Sequence, residues 1–122
     1  MIDISIVGAK TLKKYREYLK IYPSRRAAFR AAKRDANIPM SQHPEEVIYP
    51  QSSKGREYSL DDRNVRLYIF NLGIGAVAIE YHIREDKEAF YGDEEGKGNQ
   101  PPHFNSGEPP KKLGNHHYWD ND

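Results

Sequence analysis

The amino-acid order predicts an α+β fold, with helices in the first third and a small antiparallel sheet after them. Two observations carry that expectation. Apolar residues recur every three to four positions up to residue 37, whereas β-branched and aromatic residues alternate from residue 46 to residue 82. A third observation sets the rest apart: residues 83–120 are polar, rich in proline, histidine and asparagine, and read as a loop-rich region.

The helical part spans about 11–37. Leu12, Tyr15, Leu19 and Tyr22 fall on one face of a helix over 11–22, which Pro23 ends. Ser24 stands where an N-cap belongs, and residues 25–36 form a second helix. Ala28, Phe29, Ala32 and Ala36 lie on one side of it, with Arg26, Arg30, Lys33 and Arg34 spread over the other. Residues 38–44 are a loop bounded by Pro39 and Pro44. The strand part spans about 46–82, with strands at 47–49, 57–60, 65–70 and 77–82 and turns at 52–55, 61–64 and 73–75. Residues 83–100 are strongly polar, and residues 101–114 hold four of the eight prolines, so 83–120 is expected to be an active-site loop region.

A chain of 122 residues suits one domain and is too short for two. Hydrophobic residues are 37% and charged residues 30%, which predicts a small core. No apolar run approaches the roughly 20 residues of a membrane helix. Residues 1–7 lack a basic n-region and a long apolar stretch, so no signal peptide is expected there. With no cysteine, disulfides and thiolate metal sites are excluded. The net charge of +1 hides an asymmetry: residues 1–40 hold ten Lys/Arg against Asp3, Glu17 and Asp35, giving +7, and the remainder hold nine against fifteen, giving −6. Such a division suits one face meeting phosphate, or two halves of one fold attracting each other.

Of the five histidines, His103, His116 and His117 lie within fifteen residues that hold almost no aliphatic side chain. They are either exposed and inconsequential or part of a site for phosphodiester hydrolysis. Imidazole works as a base near neutral pH and, when neutral, ligates divalent metals. A metal-assisted hydrolysis needs such a base, a cation on the phosphate, and ligands that leave the cation an open position. His82 ends a predicted strand, and Glu80 shares its face two residues earlier.

Two blocks carry a resemblance. Residues 24–44, SRRAAFRAAKRDANIPMSQHP, are similar to the opening block of polymorphic-toxin C-terminal domains assigned to the HNH/endonuclease VII superfamily. These stand at the ends of Rhs/YD-repeat, wall-associated and contact-dependent toxins. Pro102-His103-Phe104-Asn105 and Gly114-Asn115-His116-His117-Tyr118 resemble the closing block, and His82 corresponds to a strand histidine between the two. The resemblance covers about residues 24–119, specific in its end blocks and loose between them. It implies a ββα-metal-like nuclease core, a divalent metal (Mg2+ or Zn2+), a nucleic-acid substrate (DNA or tRNA) and a cognate immunity protein. It also implies secretion as the C-terminal part of a larger toxin and action in the target-cell cytoplasm. The chain departs from the pattern at Tyr81, where an Asp is expected before the strand histidine, and in a longer spacer between Asn105 and Gly114.

The expected catalytic residues are therefore His82, His103, Asn105 and His116, with His82 or His103 as general base. Glu80, His103 and His116 are the expected metal ligands. Arg25, Arg26, Arg30, Lys33 and Arg34 are expected to contact phosphates. Two alternatives stand beside this reading. One is a metal-independent RNase with a histidine pair as base and acid. The other is a non-enzymatic nucleic-acid or protein binding module.

Overall fold

The second predicted helix forms as expected. In a computed structural model, which describes residues 21–73, 75–90 and 99–120, α1 runs Arg25–Asp35. The Ser24 Oγ accepts a hydrogen bond from the Ala27 N–H at 3.1 Å, satisfying a donor the first turn leaves open. At the other end Asn37 turns left-handed (φ 59°), and the Ile38 N–H reaches back to the Lys33 carbonyl at 2.8 Å. The spacing of Ala28, Ala31 and Ala32 buries one smooth stripe. The helix predicted over 11–22 lies outside the described residues up to 20, and its last two positions are not helical. Ile21–Tyr22 is a short strand, β1. Pro23 disfavours helical backbone at the residue before it, and pairing with a neighbouring strand uses the backbone groups this frees.

The strands are β2 (Glu46–Ile48), β3 (Asn64–Leu72), β4 (Ile79–Asp86), β7 (His103–Gly107) and β8 (Asn115–Trp119), with a separate two-residue pair β5 (Ala89–Phe90) and β6 (Asn99–Gln100). The main sheet has the order β1-β8-β7-β4-β3-β2, antiparallel throughout except for β1 beside β8. The fold is α+β, with a six-stranded mixed sheet and two α-helices among the described residues.

Three expectations change. Residues 57–60 are not a strand and 52–55 are not a plain turn: Ser53–Glu57 forms a short helix, α2. Ser52 caps it by accepting from the Gly55 N–H at 3.0 Å while donating to the Tyr49 carbonyl at 2.7 Å. The strand expected over 77–82 begins at Ile79, after a 3-10 turn at Gly75–Val77, and continues to Asp86. Finally, the histidine-rich region is not a loop. Its site residues sit on the hairpin β7–β8, joined by residues 108–114. The helix packed on that hairpin is α1, which precedes it in sequence.

Alternation divides the sheet cleanly. On one face Phe70, Tyr81, Ile83, Phe104 and Trp119 meet Ala28, Ala32 and Ile38, with Phe29 of α1 packed against them. The Phe29 ring stands edge-on to Phe104 at 5.2 Å between centroids. At the border of this core, Arg25 forks onto the buried Glu85 carboxylate, with Nε to Oε2 at 3.0 Å and Nη2 to Oε1 at 2.7 Å. On the opposite face Ile48, Leu67 and Ile69 form a smaller cluster with Leu60. The rest of that second face is polar.

Candidate active site

The polar face is a grid set by strand register. Tyr118, His103, Asp86 and Asn64 face one another across β8, β7, β4 and β3, and beside them run His116, Asn105 and Arg84. A period of two on each strand places all seven on the face away from α1. The hairpin thus delivers His103, Asn105 and His116, as the sequence suggested, but to a sheet surface.

Asp86 is the hub, and the sequence reading missed it. It is buried, and each carboxylate oxygen accepts two hydrogen bonds. Oδ1 accepts from Asn64 Nδ2 at 2.6 Å and Arg84 Nε at 2.9 Å; Oδ2 accepts from Arg84 Nη2 at 2.9 Å and Asn105 Nδ2 at 2.5 Å. A buried carboxylate is tolerable when its acceptor sites are filled in this way. The fork holds the Arg84 guanidinium on Asp86, and the side chain remains 34% exposed. The one readable signal for Arg84 and Asp86 was the period-two continuation of His82, and it was hidden in a run of charges.

His103 has a fixed tautomer. Its Nδ1 lies 2.9 Å from the Pro101 carbonyl, which can only accept, so Nδ1 carries the proton and Nε2 is the working nitrogen. Asp86 Oδ2 is 3.7 Å from that Nε2, an ion-pair distance once the ring is protonated. The His116 ring sits 6.0 Å from the His103 ring, centroid to centroid, and its Nδ1 is 3.4 Å from the Tyr118 hydroxyl. Partial burial lowers the His116 pKa below its ordinary value, and the neighbouring charges of His103 and Lys112 act in the same direction. Beside His103 opens a cavity of about 230 Å3 lined by Asn64, Arg84, Asp86, Lys87, Asp61 and Arg63 among others. At its rim, hydrogen bonds from the Arg63 guanidinium and backbone N–H hold the Asp61 carboxyl down at about 2.

His82 and Glu80 do not join this constellation. His82 precedes Asp86, the register partner of His103, by four residues, or roughly 13 Å along the strand. Its Nε2 lies 2.5 Å from Glu80 Oε1, and its ring meets Tyr58 edge-on at 5.5 Å. The proposed ligand set therefore fails geometrically: His103 and His116 are neighbours, while Glu80 is committed to His82 further along β4. Among the described residues no three His, Asp or Glu side chains are grouped to hold a metal ion. The donor set among the described residues does not fit a divalent cation.

The basic helix also divides. Arg25 is tied to Glu85, and Lys33 is buried, its ammonium donating to the carbonyls of Met40 at 3.0 Å and Gln42 at 2.7 Å. Both serve the fold. Arg26, Arg30 and Arg34 are exposed, but α1 covers the other face of the sheet, away from the histidine pair. His117 belongs to that other face too; it is buried, with Nε2 2.6 Å from Asp35 Oδ2. No helix among the described residues is long and apolar enough to cross a membrane. No family model, curated protein or solved structure matches the chain.

Proposed function

We propose that the polar sheet face is the active site of a ribonuclease that works without a metal. The observation supporting this reading is the pair His103 and His116, with ring centroids 6.0 Å apart, beside an arginine anchored on a buried carboxylate. In-line attack of a ribose 2′-hydroxyl on its own 3′-phosphodiester needs a base at the attacking oxygen and an acid at the leaving oxygen. Those two apical oxygens, each with a hydrogen bond to a ring nitrogen, call for imidazoles roughly 6–9 Å apart. His116, whose lowered pKa favours the neutral ring, accepts the 2′-hydroxyl proton as the new P–O bond forms. His103, as the imidazolium with protons on both nitrogens, gives its Nε2 proton to the 5′-oxygen as the P–O5′ bond breaks, and Arg84 neutralises charge on the non-bridging oxygens. Product is a 2′,3′-cyclic phosphate and a free 5′-hydroxyl, and the protons balance as His116 releases one to solvent and His103 takes one up.

The wider setting proposed is the one the sequence resemblance implies: a toxin domain delivered by a larger protein, held in check by an immunity protein and acting in a target cytoplasm. The ββα-metal arrangement finds less support, because the described hairpin is packed by a helix that precedes it. The test is cleavage of tRNA and of DNA with and without chelator. Cleavage of RNA alone, undiminished by EDTA and leaving cyclic phosphate ends, is expected. His116→Ala and His103→Ala should each lower the rate by about 10²–10⁴, while Glu80→Gln should leave it unchanged. Loss of activity in chelator, cutting of DNA, or full activity of His116→Ala would overturn the reading.

A further inference from the structure

Arg26, Arg30 and Arg34 stand one turn apart on α1, a stripe about 12 Å long. All three are exposed, and no ion pair or hydrogen bond engages their guanidinium groups among the described residues. The dipole disfavours Arg26 at the start of the helix and favours Arg34 in its last turn, so the stripe is not there to stabilise α1 as a unit. Like charges at i, i+4 repel, and Arg26 sits in a first turn that holds no acidic residue, where the dipole favours negative charge. A cavity of about 290 Å3 opens along it, lined by Arg26 and Arg30 with Phe29, Met40 and His43. Nothing in the packing of α1 requires these arginines, since Ala28, Ala31 and Ala32 make the buried face.

The stripe lies across the sheet from the histidine pair, yet its end is close to the site strand. Asp35, next to Arg34, bonds His117, and His117 is the chain neighbour of His116 on β8. The two faces are thus linked through β8, which lies next to the edge strand β1.

We infer that the arginine stripe is an exosite for the phosphate backbone of the same RNA whose scissile bond lies at His103 and His116, so that the preferred substrate is an RNA long enough to reach from one face of the sheet to the other. This rests on the ribonuclease reading above. A short fragment fills only the histidine face, whereas a long or folded RNA engages both faces. The contacts are to phosphate, independent of base and sensitive to salt.

Two substrates separate this inference from the reading beneath it. A ribodinucleotide tests the histidine site alone, and a tRNA-length RNA tests both. The triple variant Arg26→Gln/Arg30→Gln/Arg34→Gln should lose the preference for the long substrate over the dinucleotide, by about 100-fold in kcat/KM at 0.1 M salt. With cleavage blocked by His116→Ala, log Kd against log salt for the long RNA should flatten by about 2, near 0.7 for each lost contact. If neither substrate is cut by the parent protein, the ribonuclease reading fails. If both are cut but the triple variant keeps the parent's preference and salt slope, the exosite fails and the stripe does not bind RNA. An equal loss on both substrates also overturns it.

Discussion

Replacing Asp86 by asparagine changes one atom, yet the geometry makes it a severe substitution. The two carboxylate oxygens each receive two donors: Asn64 and the Arg84 Nε on one, the Arg84 Nη2 and Asn105 on the other. Whichever way the new amide turns, its NH2 group faces one Arg84 N–H, whose hydrogen bond is lost outright, and one Asn amide, which must flip to keep its own. Hydrogen bonds to a charged partner contribute about 1.5–3 kcal/mol each. The two on the remaining oxygen weaken as their acceptor becomes neutral, and the Arg84 charge loses its counter-ion, so Asp86→Asn should cost about 3–5 kcal/mol. For 122 residues at about 2.1 cal/mol/K each, the unfolding entropy near the midpoint is about 0.26 kcal/mol/K, so Tm should fall by about 12–20 °C. Thermal unfolding followed by circular dichroism measures this directly. A shift under about 4 °C would show that the four donors do not converge on Asp86 in solution.

The pH profile supplies a second prediction. Because the His116 pKa is lowered from its ordinary 6.5 and only the neutral ring accepts a proton, the acid limb of kcat/KM should be centred below pH 6.5. His116→Ala should abolish this acid limb; a limb centred above 6.5 would assign the base elsewhere. A third concerns α2. A Cβ at Gly55 would overlap the Tyr49 carbonyl oxygen and lie 2.6 Å from the Pro50 carbonyl oxygen, both backbone atoms that cannot swing aside. Gly55→Ala should therefore cost about 1–3 kcal/mol, read as a Tm drop, and an unchanged Tm would mean the turn re-forms freely.

What could be read from the sequence was whatever rested on apolar spacing. α1 announced itself through Ser24 and the alanine stripe, and β3 through Val65, Leu67, Ile69 and Phe70. The end of β4 did not, because Arg84, Glu85 and Asp86 are held in a strand by pairing with other charges and amides, which leaves no hydrophobic signature. The hairpin was legible only in hindsight: Phe104 and Trp119 alternate with His103, Asn105, His116 and Tyr118, but five-residue strands between prolines look like loop. The site residues were found by type, and their grouping was not. A predicted strand end and the resemblance joined His82, with Glu80 on its face, to the cluster, whereas register separates them and brings in Arg84 and Asp86 from the end of the same strand and Asn64 from β3.

The hairpin carries the site on one side of its backbone and the core on the other, so every one of its residues serves one or the other by parity. A single-residue insertion inside β7 or β8 would shift each following side chain to the opposite face, driving Phe104 or Trp119 outward as Asn105 or His116 turned inward. Length change is therefore closed to these strands and open to the connector at 108–114, whose members Glu108, Lys111, Lys112 and Gly114 are exposed. Diversification of this protein, natural or engineered, has that connector as its permissive window, directly beside the pair of histidines.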